Sequence, residues 1–483
     1  MRPRRVVIAG GGITGLTAAY RLLRAGSDAA GAPIEVTLLE ARPRLGGTIV
    51  TERRDGFVLD GGPDSFVAAG GSSSVTALCK ELGIGDSLIA TPERNRKVYV
   101  RRGGVLHALP DGLALEIEPH ARALARSGLF TWPGKARMAL ELLLPRRRAN
   151  SDESVGRFIE RRLGREALAR LAEPLLGGVY AGDVETLSLR ATFPRLLEME
   201  EKHGGLLRGA LARRWALGAR GTPPSTFLSL LGGMGELVEA LARAVEAAGG
   251  EIRIGAALES VTAGGGAGRL RIEIAGDAEA TPADDVILCT PAFASADALD
   301  ALDRELANRL RQIPYVSTAT VILGFPRIDV PHPLDASGLI LPRGEGLASL
   351  TATFISSKWV GRAPDDIALL RVLLGGHRDP GVLARSDDEL VALVRREMEE
   401  LLGVRARSVL ARVFRHERAH AQPSIGHPAR LARVRALAAR HPGLQLAGAG
   451  FEGVGIPGCV RQAEEAAAHV VGERSSIGPR VVS

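Results

Sequence analysis

Short apolar runs that stop at clustered glycines mark both ends of the chain. In "RVVIAGGGITGL", Val6 to Ala9 predict a buried parallel strand, and residues 16–24 continue with the apolar spacing of a helix. The segment "LQLAGAGFEGVGIPGCVRQAEEAAAHVV" predicts a strand, a glycine loop and a helix that begins near Pro457. Each end of the chain therefore predicts a strand, a turn of bare backbone and a helix.

The pattern changes in the middle of the chain. Residues 110–215 have helical spacing and few strand signals, and Ser151 or Asp152 is the expected cap of the helix in "ESVGRFIERRLG". Residues 226–298 return to a helix and short strands, including the buried "DDVILC". Residues 300–415 predict strands in "TATVILGF" and "ALLRVLLGG" and a helix in "SDDELVALVRREMEELLG". We expect a mixed α/β fold, in which a helical lobe and a sheet-containing domain interrupt a Rossmann-like domain.

Composition narrows the class of protein. Hydrophobic residues make up 45% and charged residues 24%, as in globular proteins, and aromatic residues make up 4%, too few for a base-stacking platform. The net charge is +7, and most of the positive residues are arginines. This excess has two possible causes, a coding bias toward arginine or the binding of anionic partners. Cys79, Cys289 and Cys459 are too scattered for a disulfide framework or zinc site, which fits a reducing cytoplasm. No signal peptide or membrane-spanning run is evident.

The first glycine turn has the spacing G-x-G-x-x-G, at Gly10, Gly12 and Gly15. In this pattern the first glycine makes the tight turn, the second lets a pyrophosphate approach, and the third packs helix against strand. The next predicted strand, "IEVTLLEA", ends with Glu40, at the position where an acid holds a ribose diol. The pattern predicts a dinucleotide whose phosphates face the N-terminus of a helix.

A second glycine pair favours FAD over NAD. Gly46 and Gly47 offer backbone amides to a pyrophosphate, next to the cations of Arg42 and Arg44. A plain NAD dehydrogenase does not need this pair, whereas FAD enzymes of the two-dinucleotide-binding type commonly have it. The turn "DGGPDS" would then place backbone near an isoalloxazine ring, and the glycine loop before Pro457 would lie close against the same flat cofactor.

No group of side chains has the pattern of a catalytic acid, base, nucleophile or metal site. H-E-x-x-H, G-x-S-x-G and P-loop patterns do not occur, and His416, His420 and His427 have no cysteine or acid array beside them, so we expect no metal. The cofactor must then carry the reaction, as in a flavin oxidase, while the protein supplies position and shielding.

Five longer segments resemble the oxygen-dependent protoporphyrinogen and coproporphyrinogen III oxidases of haem biosynthesis. They are "GGPDSF", "NRKVYVRRGGVLHALP", "GLFTWPGKARMALELLLP", "EPLLGGVYAGDVETLSLRATFPRL" and "GAGFEGVGIPGC". The resemblance covers nearly the whole chain and is greatest to the bacterial branch that accepts coproporphyrinogen III. It implies an amine-oxidase-like architecture, non-covalent FAD, no catalytic side chain, and three flavin cycles that each reduce one O2 to hydrogen peroxide. Protoporphyrinogen IX is the alternative substrate.

The resemblance also implies which residues contact the cofactor and the substrate. FAD contacts would fall on Gly10, Gly11, Gly12, Ile13, Thr14, Gly15, Glu40, Ala41, Thr48, Gly62, Pro63, Asp64, Ser65, Leu258, Val454, Gly455, Ile456, Pro457, Gly458 and Cys459. Of these, Leu258 would lie on the adenine side, and residues 454–459 would lie beside the ring. Arg96 would lie near a propionate, and the backbone of Gly177 and Gly178 would face the pyrrole nitrogens.

The implied domains alternate along the chain. The ranges are 1–90, 226–298 and 426–474 for the FAD-binding domain, 91–225 for the helical lobe, 299–425 for the substrate-binding domain and 475–483 for a tail. We expect a porphyrinogen and O2 as partners, no nucleic acid, and a cytoplasmic location. Peripheral contact with the inner face of the cell membrane, hand-off to ferrochelatase and a homodimer are left open.

Two features depart from the family pattern. The family often has a Trp before a Pro-Gln-Tyr stretch, where this chain has His416 and the stretch 421–423, "AQP", which leaves a flavin contact of this segment open. Gly458 stands where an acid is frequent.

Competing classes are a flavin amine oxidase, a carotene desaturase and a non-enzymatic flavin-binding scaffold. The amine oxidase would need an aromatic cage beside the flavin, and the whole chain has four tyrosines.

Overall fold

The computed structural model describes residues 2–68, 73–110, 121–147, 151–217, 227–265, 268–453 and 455–472, without the side chains of 121–123 and 213–217. Its strands are β1 (Arg4–Ala9), β2 (Ile34–Glu40), β3 (Thr51–Arg54), β4 (Phe57–Asp60), β5 (Phe66–Val67), β6 (Leu88–Ala90), β7 (Val98–Arg102), β8 (Val105–Ala108), β9 (Phe227–Leu230), β10 (Glu251–Ile254), β11 (Leu258–Ala263), β12 (Leu270–Ile274), β13 (Thr281–Ala283), β14 (Asp285–Leu288), β15 (Tyr315–Pro326), β16 (Gly338–Ile340), β17 (Ser349–Phe354), β18 (Ile367–Gly375), β19 (Leu410–Ala421) and β20 (Leu444–Leu446). Its helices are α1 (Ile13–Ala25), α2 (Ser74–Glu81), α3 (Ala121–Arg126), α4 (Trp132–Ala139), α5 (Val155–Leu163), α6 (Arg165–Ala167), α7 (Glu173–Tyr180), α8 (Leu189–Thr192), α9 (Pro194–His203), α10 (Leu206–Leu217), α11 (Gly235–Ala247), α12 (Ala292–Leu299), α13 (Arg304–Arg311), α14 (Ile355–Lys358), α15 (Asp387–Leu402), α16 (His427–Ala438) and α17 (Ile456–Val471).

A five-stranded parallel sheet, in the order β10-β2-β1-β14-β20, forms the core of the nucleotide-binding unit. Its central strand β1 is apolar on both faces. Val6 and Ile8 share a core with α1, α11 and α17, whereas Val7 and Ala9 share a core with α12, α13 and α16. Strands covered by helices on both sides read as continuous apolar runs, which explains the pattern "VVIA". The predicted buried strand and the helix that follows it are confirmed.

A mixed seven-stranded sheet, in the order β19-β15-β18-β17-β16-β7-β8, forms the second large unit. One face of β15 and β18 is apolar and packs against α15, with Val321, Leu370 and Met398 in the shared core. Thr318 and Arg371 lie on the opposite face, which is polar at its centre. Such alternation belongs to a sheet with one face on the core. The structure confirms the strands predicted in "TATVILGF" and "ALLRVLLGG", which are β15 and β18. It also confirms the helix predicted in "SDDELVALVRREMEELLG", which is α15.

The helices α3 to α10 form a lobe with its own apolar core. Helix α5 is capped by Ser154, whose side chain accepts a hydrogen bond from the backbone N–H three residues on. The prediction of Ser151 or Asp152 as the cap is therefore wrong. The carboxylate of Asp152 instead accepts hydrogen bonds from Ser188 Oγ and the Gly426 N–H, both at 2.9 Å, and ties the lobe to the start of α16.

Two segments lie in units other than those expected from the sequence. Strands β7 and β8 fall within the range 91–225, but β7 pairs with β16 and extends the seven-stranded sheet. Tyr99 and Leu106 pack on the core of that sheet, whereas Val98 and Val100 pack on the core of the helical lobe. Helix α13 falls within the range 299–425, but Leu306 and Leu310 pack in the core of the parallel sheet. Among the described helices, none has both the length and the apolar character needed to cross a lipid bilayer.

Candidate functional site

The turn between β1 and α1 leaves open space beside its middle glycine. Gly10 has φ +107°, and a Cβ there would lie 2.9 Å from the backbone of Cys289, whereas a Cβ on Gly15 would overlap the carbonyl oxygen of Gly10. A Cβ on Gly12 would find the Cα of Gly47 at 3.9 Å as its nearest described neighbour. Helix α1 begins here without a side-chain cap, so its first N–H groups are available to a ligand. This geometry fits a phosphate group.

Glu40 joins the first glycine turn to the second. Its Oε2 accepts a hydrogen bond from the Gly11 N–H at 2.8 Å, and its Oε1 accepts one from the Arg42 N–H at 2.9 Å. The Gly46 N–H donates to the Gly11 carbonyl at 2.8 Å, so the two glycine loops lie side by side. The Ala256 N–H donates to the Glu40 carbonyl at 2.9 Å and brings the turn before β11 to the same edge of the sheet.

Arg42 and Arg44 occupy different positions beside the second glycine pair. Arg44 donates to the carbonyls of Gly47 at 2.8 Å and Ile49 at 3.2 Å, so its guanidinium holds the loop in place. Arg42 is exposed, and its guanidinium lies 3.5 Å from the same Gly47 carbonyl. Arg42 is thus the better placed of the two to meet a ligand. The neighbouring predicted residues Ala41 and Thr48 are also exposed.

The turn after β4 is held by side chains of the seven-stranded sheet. Arg371 donates to the carbonyl of Asp60 at 3.1 Å and to that of Gly62 at 2.6 Å. His416 Nε2 lies 2.9 Å from the Gly61 carbonyl and donates to it, because a carbonyl only accepts. The segment that departs from the family pattern therefore does contact the backbone of the predicted flavin turn.

Asp64 forms a second ionic contact that holds this turn. Its Oδ2 accepts hydrogen bonds from Lys358 Nζ at 2.8 Å and Trp359 Nε1 at 3.0 Å, and its Oδ1 accepts one from Ser65 Oγ at 3.0 Å. Burial alone would raise the pKa of Asp64, but the charges of Lys358 and Arg371 hold this pKa well below its ordinary value. The Asp64 side chain thus anchors the turn in which Pro63 and Ser65 are predicted to contact the cofactor.

The C-terminal glycine loop is organised by Gln462 of α17. Its Oε1 accepts hydrogen bonds from the N–H groups of Gly448 at 3.2 Å and Glu452 at 3.4 Å, and its Nε2 donates to the carbonyls of Glu452 at 2.5 Å and Gly458 at 3.2 Å. The helix predicted to begin near Pro457 begins at Ile456, after Gly455 at the N-cap. Val454 lies outside the described residues.

Replacing Gln462 with leucine is expected to weaken binding of the predicted FAD cofactor about tenfold, or about 1.4 kcal/mol, because the loop loses its internal hydrogen bonds. The measurement is the dissociation constant of FAD from the purified protein, followed by flavin fluorescence. Gln312→Leu, at an exposed position after α13, makes the same chemical change away from the site and should leave the constant unaltered. Equal affinities in the two variants would show that the loop does not depend on Gln462.

Two cysteines, the buried Cys459 and the half-buried Cys289, lie where the first and last glycine loops meet. Cys459, in the first turn of α17, forms a hydrogen bond with Thr14 of α1. Cys289 follows β14 and packs its backbone against Gly10. Burial raises the pKa of Cys459 and of Cys289, so both side chains are protonated thiols at neutral pH.

The polar face of the seven-stranded sheet carries uncharged hydrogen-bonding groups. Thr318 Oγ1 lies 3.0 Å from His420 Nε2, and Thr320 Oγ1 is buried without a hydrogen-bond partner among the described residues. Burial, with the nearby charges of His416 and Arg371, lowers the pKa of His420 to about 4. The ring is therefore neutral at neutral pH and can serve as a hydrogen-bonding group.

Helix α7 closes this polar face from the side of the helical lobe. A Cβ on Gly178 would lie 2.7 Å from Thr351 Cγ2, and one on Gly177 would lie 3.7 Å from Leu350 Cδ2, so both glycines bring the helix backbone against β17. Gln422 Nε2 donates to the Tyr180 carbonyl at 2.9 Å and fixes the end of α7. The two glycines thus lie at the margin of the same polar face.

Two further predicted residues lie at the borders of these loops. Leu258 is half-buried at the start of β11, in the segment that follows the contact with Glu40. Arg96 is half-buried just before β7, with its Nε 3.5 Å from the Thr91 carbonyl.

Sequence reasoning missed the residues that hold the turns. Arg371, Lys358 and Trp359 come from distant parts of the chain and belong to no local motif. Gln462 lies only four residues after Gly458, but no pattern in the sequence marked its side chain. The sequence did contain one signal for Arg371: it is the single charged residue in the apolar strand "ALLRVLLGG". A charge at a buried strand position needs a partner, and here the partners are backbone carbonyls of the turn after β4.

The arrangement has a glycine-lined turn that would fit a phosphate at one end and a polar sheet face at the other. A family model described as flavin-containing amine oxidoreductase matches residues 13–471. The coproporphyrinogen III oxidase of Bacillus subtilis is 33% identical, over 96% of this chain and 97% of that protein. The chloroplastic protoporphyrinogen oxidase 1 of Spinacia oleracea is 29% identical, over 96% of this chain and 84% of that protein. A crystal structure from Exiguobacterium sp. 255-15, provisionally assigned as a protoporphyrinogen oxidase, has a TM-score of 0.84 and 31% identity, over 98% of this chain and 100% of that one.

Proposed function

Since this chain belongs to the flavin-containing amine oxidoreductase family, we propose that it binds FAD without a covalent bond and, with dioxygen as the acceptor, oxidises coproporphyrinogen III to coproporphyrin III. The observation that carries this proposal is the similarity of nearly the whole chain to coproporphyrinogen III oxidases. Protoporphyrinogen IX is the alternative substrate, because protoporphyrinogen oxidases are similar over a comparable length.

The glycine loops would hold the two ends of the cofactor. The open space at Gly12 and the free N-terminus of α1 suit the pyrophosphate, and Glu40 lies where the ribose diol would sit. FAD held there would supply the redox chemistry, as the acceptor of a substrate hydride and the donor of electrons to dioxygen. The half-buried Cys289 and the buried Cys459 have raised pKa values, so neither is a reactive thiolate, which supports a cofactor held by contacts alone.

The substrate would lie between the polar sheet face and the flavin. Thr318, Thr320 and His420 offer uncharged hydrogen-bonding groups to a macrocycle whose pyrrole N–H groups need acceptors. Helix α7, brought close by Gly177 and Gly178, would cover the substrate from the side of the helical lobe and limit the access of water. These residues orient the substrate, and the redox chemistry stays with the cofactor.

Porphyrin fluorescence tests the proposal directly. The FAD-loaded protein is incubated aerobically with coproporphyrinogen III and, in parallel, with protoporphyrinogen IX. We expect fluorescent porphyrin to form above the rate of autoxidation, and faster from coproporphyrinogen III. A preference for protoporphyrinogen IX would exchange the substrate and keep the mechanism. No porphyrin above the autoxidation control would refute the proposal for both substrates.

An anaerobic experiment separates an enzyme from a flavin-binding scaffold. Without oxygen, the porphyrinogen should bleach the visible absorbance of the bound flavin, because hydride transfer reduces the cofactor. A scaffold would keep its absorbance. An amine oxidase would instead be bleached by primary amines.

A further inference from the structure

Strand β19 contains an arginine in a strained backbone conformation. Arg418 has φ +42°, in the left-handed region that residues other than glycine seldom adopt. It lies in an irregularity of the ladder with β15, between the pairs Val316–His420 and Thr318–His416. The Arg418 N–H donates to Ser317 Oγ at 2.9 Å, which fixes the distorted turn. Such strain persists where the surrounding structure enforces it, and it concentrates at functional sites.

An aromatic pair holds the Arg418 guanidinium in one position. Its Cζ lies 3.7 Å from the centre of the Phe293 ring. The Phe293 ring meets the Tyr315 ring edge to face, with 5.2 Å between their centres, and the Tyr315 hydroxyl accepts a hydrogen bond from the Ala292 N–H at 2.9 Å. Stacking uses the face of the guanidinium and leaves the N–H donors at its rim available.

The charge of Arg418 is not balanced within the described part of the chain. Arg412 and Arg415, on the same strand, form ion pairs with Glu52 at 3.0 Å and Asp387 at 2.6 Å. For Arg418, neither a carboxylate partner nor a side-chain hydrogen bond is found among the residues that the structure describes. A guanidinium that is positioned but unpaired is ready to receive an anion.

Arg418 lies at the rim of the proposed site. Tyr315, which packs against Phe293, contacts the C-terminal glycine loop. Its hydroxyl lies so close to Gly450 that a Cβ there would overlap it. Two residues further along β19, His420 contacts Thr318 on the polar face. Arg418 therefore sits between the loop that would contact the cofactor and the face that would contact the substrate.

We propose that Arg418 binds a carboxylate of the substrate at this rim. The inference rests on the proposed function, because a porphyrinogen carries propionates on the edge of an apolar macrocycle. The guanidinium fork matches a carboxylate with two parallel hydrogen bonds. The bulge and the stacking against Phe293 pre-organise the fork, so little side-chain freedom is lost when the carboxylate binds.

The test compares variants of the FAD-loaded protein in two measurements: the Kd for coproporphyrin III, from quenching of its fluorescence, and KM and kcat for coproporphyrinogen III. In Arg418→Met, Kd and KM should rise about tenfold and kcat should change less than about twofold, because a positioned charge is lost and the flavin is untouched. Arg418→Lys should recover part of the affinity. Arg415→Met removes the same charge from the same strand and should leave Kd and KM unchanged.

A glycine variant separates binding from backbone strain. Arg418→Gly accepts the positive φ without strain, so it should unfold at a higher temperature than Arg418→Met and bind coproporphyrin III equally weakly. Affinity in Arg418→Met or Arg418→Gly equal to that of the wild type, or an equal loss in Arg415→Met, would overturn the inference. If the wild type oxidises no porphyrinogen, the proposed function fails, while the Kd comparison still decides the role of Arg418. A wild type that does not bind coproporphyrin III overturns the inference as well.

Discussion

A Gly12→Ala variant should fold normally and bind FAD about 100-fold more weakly, a loss of about 2.7 kcal/mol. The backbone at Gly12 has φ −78°, which alanine adopts without strain. The added methyl group would meet no described atom closer than 3.9 Å, so the protein itself has room for it. It would occupy the space through which a pyrophosphate approaches the loop, and the cost should fall on the cofactor alone.

Titration of the flavin-free protein with FAD, together with thermal unfolding, measures both effects. Gly15→Ala should give the opposite signature, because its Cβ would overlap the Gly10 carbonyl and destabilise even the flavin-free protein. Gly344→Ala is the matched control: a Cβ at Gly344 meets nothing within 4 Å, and neither quantity should change. An affinity of Gly12→Ala within about threefold of the wild type would contradict a phosphate site at this turn.

Asp64→Asn should destabilise the protein by about 3–5 kcal/mol, because it leaves the buried ammonium of Lys358 without its carboxylate. Lys358 Nζ is 2.8 Å from Asp64 Oδ2, with both side chains 12% exposed. The midpoint of thermal unfolding should fall by roughly 3–5 °C, because an unfolding entropy of about 2 cal/mol/K per residue gives about 1 kcal/mol per degree for a chain of this length. Asp300→Asn is the matched control, since the pair of Asp300 with Arg311 is largely exposed and should contribute less than about 1 kcal/mol.

The destabilisation by Asp64→Asn should depend on pH in one direction. The pKa of Asp64 is lowered in the folded protein, so its ionised form stabilises the fold at every pH above the unfolded pKa of about 3.9. As pH falls below about 4, the unfolded chain takes up a proton first and the advantage of the wild type shrinks. The difference between wild type and variant should be constant from about pH 8 to 5 and narrow below about 4. A difference that grows on acidification would refute this account.

The nucleotide-binding ends of the chain were predictable because their rules are local. The tight turn at Gly10, the close packing at Gly15 and the open side at Gly12 each follow from the absence of a Cβ at a fixed spacing. Glu40 ends a strand whose neighbour is fixed by the parallel sheet, so its contact with the Gly11 N–H follows from the same pattern. Only a few neighbouring positions decide each of these contacts.

The polar side of the site could not be predicted, because its contacts join residues that are far apart in sequence. Arg371 and Asp60 are 311 positions apart, and no spacing rule connects them. The cap of α5 was predicted wrongly for the same reason. The Asp152 carboxylate accepts a hydrogen bond from the Gly426 N–H, 274 positions away, and is not available to cap the helix. Arg418 has an ordinary sequence neighbourhood, and only the bulge and the ring of Phe293 single it out.

The parallel sheet assembles from the beginning and the end of the chain, and this has a consequence for biosynthesis. Strand β1 pairs with β14, which in turn pairs with β20, and α1 shares its core with α17. At a translation rate of ~5–20 residues per second, the ribosome needs tens of seconds to deliver those late partners after α1 has emerged. During that interval the apolar sides of β1 and α1 lack their native cover, so the nascent chain is a natural client for chaperones. Flavin capture would then have to wait until β20 and α17 have emerged.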